Sequence, residues 1–307
     1  MSMIKRIEYL EKPKKWKDED LIKVVTGIRR CGKSTLLELF IEYLKEEKID
    51  EEHIVSINLE SLEYNFSNYK DLYFYVVSKI KDDKKYHVFL DEIQNIEGFQ
   101  KVVDIYITGS NAFLLSGELA TLLTGRYVEI KMLPLSFKEY VSAFSGNNNY
   151  QSLFLEYMKN GGMPGTISVL DLGINDINKY LDSIFSTVVF KDIMARNKIT
   201  DKTILENIIK FILENIVYLE LLRRGYRIYV GKVDDLKIDF VAESQGGLKY
   251  FQVSLTVRDA KVLERELRSL QRTGDHYPKH LITMDMDLSS DYDVITKINV
   301  IDWLLEK

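Results

Sequence analysis

The chain alternates between short apolar runs rich in β-branched residues and longer stretches whose apolar residues recur every three or four positions. Short runs are typical of buried strands, and the longer spacing is typical of amphipathic helices. We expect strands at 22–26, 53–59, 86–90, 104–108 and 128–132, and helices at 35–47 and 68–81. Strands that alternate with helices in this way predict an α/β fold with a parallel sheet between helices.

The first strand leads into a loop bounded by two glycines. Gly27 is followed by four residues, then by Gly32, Lys33 and Ser34, and a helix opens at Leu36. Glycine permits the backbone angles that turn successive N–H groups inward around an anion, and the helix dipole adds to the field. In such a loop Lys33 reaches the β- and γ-phosphates and Ser34 completes the shell of a Mg²⁺ ion. The spacing therefore predicts binding of a nucleoside triphosphate, and a chance glycine turn is the alternative. The candidate nucleotide-binding residues are Gly27, Arg29, Arg30, Cys31, Gly32, Lys33, Ser34 and Thr35.

A pair of acids follows the apolar run at 86–90. Asp91 stands at the end of the predicted strand, where it can hold Mg²⁺ together with Ser34, and Glu92 can act as general base toward the attacking water. A solvated turn is the alternative for such a pair. The arrangement also implies the branch of nucleotide hydrolases with an extra strand between the phosphate loop and these acids, which residues 53–59 could supply.

Two further candidates come from the next strands. The run at 104–108 ends in small polar residues, where Ser110 or Asn111 could orient the water or could cap a helix instead. Arg126 precedes the last strand and could face the γ-phosphate as an arginine finger, or it could form a surface ion pair. With Glu92 and Lys33, Asn111 and Arg126 complete the candidate catalytic set.

Composition narrows the class of protein. A chain of 307 residues is long for one core, which favours two domains, and its net charge of −5 gives no global basic field for nucleic acid or membrane. Cys31 is the one cysteine, so no disulfide can form within the chain. We see no signal peptide and no apolar run of membrane-spanning length, so we expect a cytoplasmic protein with no membrane partner.

The predicted secondary structure changes from helices to strands in the C-terminal third of the chain. Helical stripes at 175–199 and 201–225 give way after Gly225 to strands near 227–230, 238–242 and 248–254. Glu220 on the helix, Asp239 on one strand and Gln252 and Ser254 on another follow the order of a restriction-endonuclease-like core. Because Ser254 stands where that chemistry needs a lysine, an active nuclease and a structural or nucleic-acid-binding remnant both remain open.

In these motifs the chain resembles the prokaryotic AAA-type ATPases that carry a C-terminal domain of unknown function, DUF4143. The resemblance implies a P-loop ATPase domain at 1–145, a helical lid or middle region at 146–214, and a smaller α/β domain of degenerate restriction-endonuclease-like fold at 215–307. It also implies ATP and Mg²⁺ as ligands, the Gly-Lys-Ser loop and the Asp-Glu pair as their site, and Ser110–Asn111 as the sensor strand. Gly125–Arg126 matches the family's Gly-Arg before the last strand of the sheet.

Two places depart from that family. Only about a dozen residues separate the acids from the strand at 104, which is short for a parallel crossover, and the winged-helix segment expected before the last domain is missing at 207–216. Either these connections are abbreviated or residues are missing from this chain there. We therefore expect a Mg-dependent ATPase acting as a switch on its helical and C-terminal regions. The alternatives are an ATP-regulated nuclease or a nucleic-acid-binding module with ATP as a structural ligand. DNA or a protein is a possible partner of the C-terminal domain, and an oligomer is possible.

Overall fold

The computed structural model describes residues 4, 6–19, 21–64, 66, 68–92, 105–110, 127–144, 146–170, 202–286 and 290–306. The chain forms two compact units, each with its own sheet. Unit 1 comprises Met1–Leu135 and Met163–Gly165, and unit 2 comprises Ser136–Gly162 and Thr166–Lys307. In the described part of the chain, no helix is both long and apolar enough to cross a membrane.

Unit 1 is a five-stranded parallel sheet with helices packed on it. The strands lie in the order β2-β3-β4-β1-β5, and every neighbouring pair is parallel. The predicted α/β fold with a parallel sheet between helices is therefore confirmed. Its elements are α1 (Ile7–Lys15), β1 (Ile22–Gly27), α2 (Lys33–Glu46), a short 3₁₀ turn (Glu51–His53), β2 (Ile54–Asn58), α3 (Tyr69–Lys79), β3 (His87–Asp91), β4 (Ile105–Ser110) and β5 (Tyr127–Met132).

The strand that lies between β1 and β3 is β4, not the segment at 53–59. That expectation was wrong because the order of strands in a parallel sheet follows the path of the crossovers, not the order along the chain. β2 lies instead at the edge, beyond β3. Its side chains alternate between buried and exposed, whereas every residue of β3 is buried, as expected for an edge strand and an inner strand.

The phosphate-loop helix is fixed to the sheet by an apolar stripe. Leu36, Phe40 and Leu44 of α2 are at most 1% exposed and pack with Phe89 and Tyr106 of the sheet. Their spacing of four residues places them on one helix face. This packing sets the position of the first turn of α2, and thus of the loop before it.

Unit 2 combines helices with a six-stranded mixed sheet in the order β10-β11-β9-β8-β7-β6. This second α/β layer agrees with the predicted smaller C-terminal α/β region. Its elements are α4 (Phe137–Ser142), α5 (Tyr150–Asn160), most of α6 (Pro164–Leu170), α7 (Lys202–Arg223), β6 (Arg227–Val233), β7 (Leu236–Ser244), β8 (Gly247–Ser254), α8 (Ala260–Gln271), β9 (Lys279–Thr283), β10 (Ser290–Tyr292), β11 (Ile295–Asn299) and α9 (Val300–Leu305).

The unit boundary lies closer to the N-terminus than the predicted end of the ATPase domain at 145. α4 packs against α5 and α9, and the aromatic ring of Phe137 lies 5.1 Å from that of Phe154, so α4 joins unit 2. The three-domain division itself stays a prediction. α7 continues without a break through 207–216 and ends before Gly225, whose φ of +83° is the left-handed angle that stops a helix.

His280 of β9 couples the stability of unit 2 to pH. Its ring stacks on Phe251 at 5.0 Å, and burial, helped by the charge of Lys249, lowers the pKa of His280 from 6.5 to about 4. The imidazole of His280 therefore binds a proton more tightly in the unfolded chain than in the folded one. The free energy of unfolding is unaffected by this group above pH 6.5 and decreases as the pH falls toward 4, by about 3 kcal/mol at most.

We expect His280→Phe, which keeps the stacked ring, to lose less stability than the wild type between pH 7 and pH 4.5 in urea unfolding. Equal acid-side losses in the two proteins would contradict this assignment.

Candidate functional site

The glycine-bounded loop joins β1 to α2 and exposes the start of that helix. Gly32 precedes the first helical residue in the left-handed conformation, with φ +95°, and no side chain caps the helix. The first N–H groups of a helix have no partner within it, so they are available to an anion.

Gly27 is required for a close approach at the start of the loop. A Cβ atom there would lie 2.6 Å from the carbonyl oxygen of Met132 and 2.7 Å from Sγ of Cys31. Any side chain at Gly27 would therefore push the loop away from the end of β5.

Lys33 is the first residue of α2, and its side chain is buried against the loop. Its side chain is 4% exposed, and Nζ donates hydrogen bonds to the carbonyl oxygens of Gly27 (3.2 Å) and Ile28 (3.3 Å). Ser34 and Thr35 follow in the first turn of α2 and are half-buried. The ammonium group is thus held beside the N-terminus of the helix, where both favour a bound anion.

The spacer residues of the loop have different surroundings. Arg29 is exposed and forms a long ion pair of 3.7 Å with Glu60, and Arg30 is exposed with a φ of +66°. Cys31 is fully buried, and burial raises the pKa of its thiol, which opposes the low pKa that a redox-sensing cysteine needs. Cys31 is therefore a packing residue of the loop.

The Asp91–Glu92 pair stands at the end of β3 and is held by Thr108 of β4. The buried hydroxyl of Thr108 donates to Oδ1 of Asp91 and accepts from the N–H of Glu92 at 3.1 Å. Glu92 has a φ of +57°, an angle that costs a residue other than glycine about 1–2 kcal/mol. Thr108 therefore fixes both acids, and sequence reasoning assigned it no role because a threonine inside a strand reads as an ordinary β-branched residue.

The register of the sheet brings the loop and the acids to one edge. Ile107 of β4 pairs with Val24 of β1 on one side and with Leu90 of β3 on the other. Asp91 thus lies level with Val25, two residues before β1 ends at Gly27, and two strand spacings of about 4.8 Å each away from it. The carboxyl ends of β1, β4 and β3 form one row, which is where ligands bind in parallel α/β sheets.

Two candidate catalytic residues, Asn111 and Arg126, lie outside the described residues. Of the sensor strand, the backbone of Ser110 is described, and it pairs with Gly27 at the start of the phosphate loop.

The acids of the C-terminal candidate site have close partners. Glu220 accepts hydrogen bonds from Arg223, the last residue of α7, and from Arg224, which follows it, both at 3.0 Å. Glu214 lies earlier on the same helix, and burial first, and then the charge of Asp239, raise the pKa of Glu214. A shared role of Glu220 and Asp239 as paired acids stays a prediction.

The remaining polar groups of this cluster bond to one another. Oδ2 of Asp239 accepts from the N–H of Val253 at 2.9 Å, and the amide of Gln252 donates to Glu266 at 2.8 Å. Ser254 donates to the carbonyl of Thr256 at 3.1 Å. The exposed Lys237 also pairs with Oδ1 of Asp239 at 3.2 Å. In the described part of the chain, no group of three or more His, Cys, Asp or Glu residues could hold a metal ion.

One family model and several solved structures are similar to this chain. A family model described as "AAA domain" matches residues 19–141. A Walker-type ATPase of Pyrococcus abyssi is similar in structure with a TM-score of 0.40 and 16% identity, over 72% of this chain and 79% of that chain. The closed state of Hsp104 with ATPγS and casein is similar with a TM-score of 0.38 and 13% identity, over 61% and 43% of the two chains.

Two relatives are also similar in sequence. An uncharacterised protein of Methanocaldococcus jannaschii is 30% identical over 203 residues, which cover 58% of this chain and 43% of the relative. An uncharacterised protein of Haemophilus influenzae is 33% identical over 403 aligned residues, covering 99% of both chains. Because this chain has 307 residues, that relative contains segments with no counterpart here. The chain therefore belongs to the same family as this Haemophilus influenzae protein, and its residues 19–141 match the AAA domain.

Proposed function

We propose that this protein binds ATP together with Mg²⁺ at the loop between β1 and α2 and hydrolyses it. The observation that carries the proposal is the buried ammonium of Lys33 beside the uncapped start of α2, on the sheet edge where Asp91 and Glu92 are held. Positive charge and free N–H groups suit the phosphates, and two acids on the same edge suit metal binding and proton transfer.

Each residue has a role in this proposal. The loop amides and Lys33 bind the β- and γ-phosphates, and Ser34 and Asp91 hold the metal. Mg²⁺ would supply neutralisation of the charge that develops on the transferred phosphoryl group. Glu92 accepts a proton from the attacking water, and Asn111 and Arg126 respond to the γ-phosphate.

We further propose that the nucleotide state is transmitted beyond the site, as in a switch. Supporting this role, the loop packs on the end of β5 through Cys31 and Met132, and the chain leaves unit 1 at residue 135, just after that strand. On the sequence resemblance, unit 2 includes a DUF4143-like domain as the controlled part. The nuclease alternative is not favoured, because Asp239 and Gln252 are already paired within unit 2.

The test is equilibrium binding and turnover with the full chain. We expect calorimetry to give ATP binding that is weakened when EDTA removes Mg²⁺, with phosphate release in the steady state. Tight ATP binding without turnover would show that ATP is a structural ligand and not a substrate, and no binding would overturn the proposal.

Duplex DNA as a partner is tested by measuring its binding at two salt concentrations, because contacts with DNA phosphates weaken as the salt concentration rises.

Thr108→Val tests the support of the acids. Valine has the same shape but can neither donate to Asp91 nor accept from Glu92, and hydrogen bonds to charged groups contribute enough for a loss of about tenfold in kcat. ATP affinity should stay close to that of the wild type. Thr108→Ser, which keeps the hydroxyl, serves as the matched variant and should recover most of the rate; equal rates for Thr108→Val and wild type would contradict the role.

A further inference from the structure

Arg6, just before helix α1, forms a buried bridge between the phosphate loop and the end of β5. Its guanidinium donates from Nη1 to the carbonyl of Cys31 at 3.0 Å and from Nη2 to the carbonyl of Pro134 at 3.3 Å. Arg6 is 5% exposed, and its guanidinium carbon lies 4.4 Å from the centre of the Tyr9 ring. A buried guanidinium is costly unless it is well paired, and these two carbonyl oxygens supply part of that pairing.

The bond to Cys31 sets the direction of a loop amide. In a planar trans peptide the C=O and the following N–H point in opposite directions. Because the carbonyl of Cys31 points to Arg6, the N–H of Gly32 points away from it. That peptide immediately precedes Lys33 and the start of α2, so its orientation belongs to the array that would surround a phosphate.

Other contacts support the same seam between loop and strand. The phenol of Tyr9 accepts a hydrogen bond from the N–H of Leu133 at 3.1 Å, next to the carbonyl that Arg6 binds. Gly27, Cys31 and Met132 also approach too closely for any added Cβ atom at Gly27. Both the loop and α1 therefore contact the end of β5.

We propose that Arg6 is a positioning residue of the nucleotide site: through the carbonyl of Cys31 it holds the phosphate loop in its anion-binding conformation, which makes helix α1 part of that site. The inference rests on the proposed function for its effect on ATP. The loop conformation itself can be tested without nucleotide.

Cys31 provides that independent test, because it is the only cysteine in the sequence, is fully buried and lies in the segment that Arg6 holds. We compare thiol labelling of the nucleotide-free full chain in the wild type, in Arg6→Gln and in Arg6→Lys. Lys12→Gln is the matched control, since the Lys12 ammonium lies 4.8 Å from the centre of the same Tyr9 ring while the bond to Cys31 comes from Arg6.

We expect Arg6→Gln to label about tenfold faster, the loss that corresponds to one hydrogen bond to a charged group. Lys12→Gln should stay near the wild-type rate, and Arg6→Lys should recover part of the protection. Low urea separates local from global opening, because labelling through a local opening changes little with urea whereas labelling through unfolding rises steeply. The inference would be overturned if Cys31 in Arg6→Gln were labelled at the wild-type rate. It would also be overturned if the faster labelling occurred through global unfolding alone.

The effect on ATP gives the second readout. Because Arg6 acts on the loop and not on Asp91 or Glu92, Arg6→Gln should raise the KM for ATP about tenfold while kcat stays within about twofold. A tenfold loss in kcat with no change in KM would contradict a role of Arg6 at the loop. If the wild type binds no ATP, the proposed function fails, and the labelling comparison still decides whether Arg6 holds the loop.

Discussion

Glu92→Gln is expected to lower ATP turnover by about two orders of magnitude or more while ATP remains bound. The amide has almost the same shape as the carboxylate but cannot accept the proton of the attacking water, and a positioned general base contributes about 10²- to 10⁴-fold. The backbone bond to Thr108 comes from the N–H of residue 92 and is unaffected by the change. A loss confined to kcat therefore separates a catalytic role from a structural one.

The left-handed backbone of Glu92 adds to this argument. A non-glycine residue at φ +57° is strained, and such strain persists where the surroundings hold the residue in place. Here the surroundings are the strand end at Asp91 and the hydroxyl of Thr108, both on the sheet edge that faces the phosphate loop. Such strain agrees with a functional role for Glu92.

The measurement is steady-state phosphate release together with ATP affinity for wild type and Glu92→Gln. Glu60→Gln is the control, because it removes an exposed acid that pairs with Arg29 of the same loop. We expect the control to keep its turnover. Turnover of Glu92→Gln within about threefold of the wild type would remove Glu92 from the role of base.

The sequence predicts those parts of this site whose residues are close to one another along the chain. The loop from Gly27 to Ser34 could be predicted in detail, because strand, glycines, lysine and helix follow one another along the chain and each has its own physical requirement. The strand-to-acid junction at Asp91 was predicted for the same reason.

Contacts between distant segments could not be predicted in this way. Thr108 lies 16 residues from Glu92, and Arg6 lies 25 residues from Cys31 in an arm rich in lysine and glutamate, where one arginine has no distinguishing pattern. In unit 2, the sequence names Glu220 as an acid but does not show that it accepts hydrogen bonds from Arg223 and Arg224. Pairing of this kind is decided by packing in three dimensions.

Lys33→Met is expected to weaken ATP binding about 100-fold or more, which corresponds to at least one lost charge-assisted hydrogen bond to phosphate. Methionine keeps an unbranched apolar stem of similar length, which suits a side chain that is 4% exposed, and it removes the ammonium that lies 3.2 Å from the carbonyl of Gly27. The charge on this helix start should matter far more than a charge at the other end of the same helix. Lys45→Met provides that comparison, since Lys45 lies in the last turn of α2 and forms an ion pair of 2.7 Å with Glu51.

We would measure the affinity of both variants for Mg-ATP by calorimetry and their melting temperatures in the absence of nucleotide. The expected pattern is a loss of affinity in Lys33→Met alone, with folded protein in both cases. Unchanged ATP affinity in Lys33→Met would show that the loop is a structural turn, and the assignment of the nucleotide site would fail. Equal losses in the two variants would instead trace the effect to the overall charge of α2, because only the position at the helix start places an ammonium beside the free N–H groups that bind phosphate.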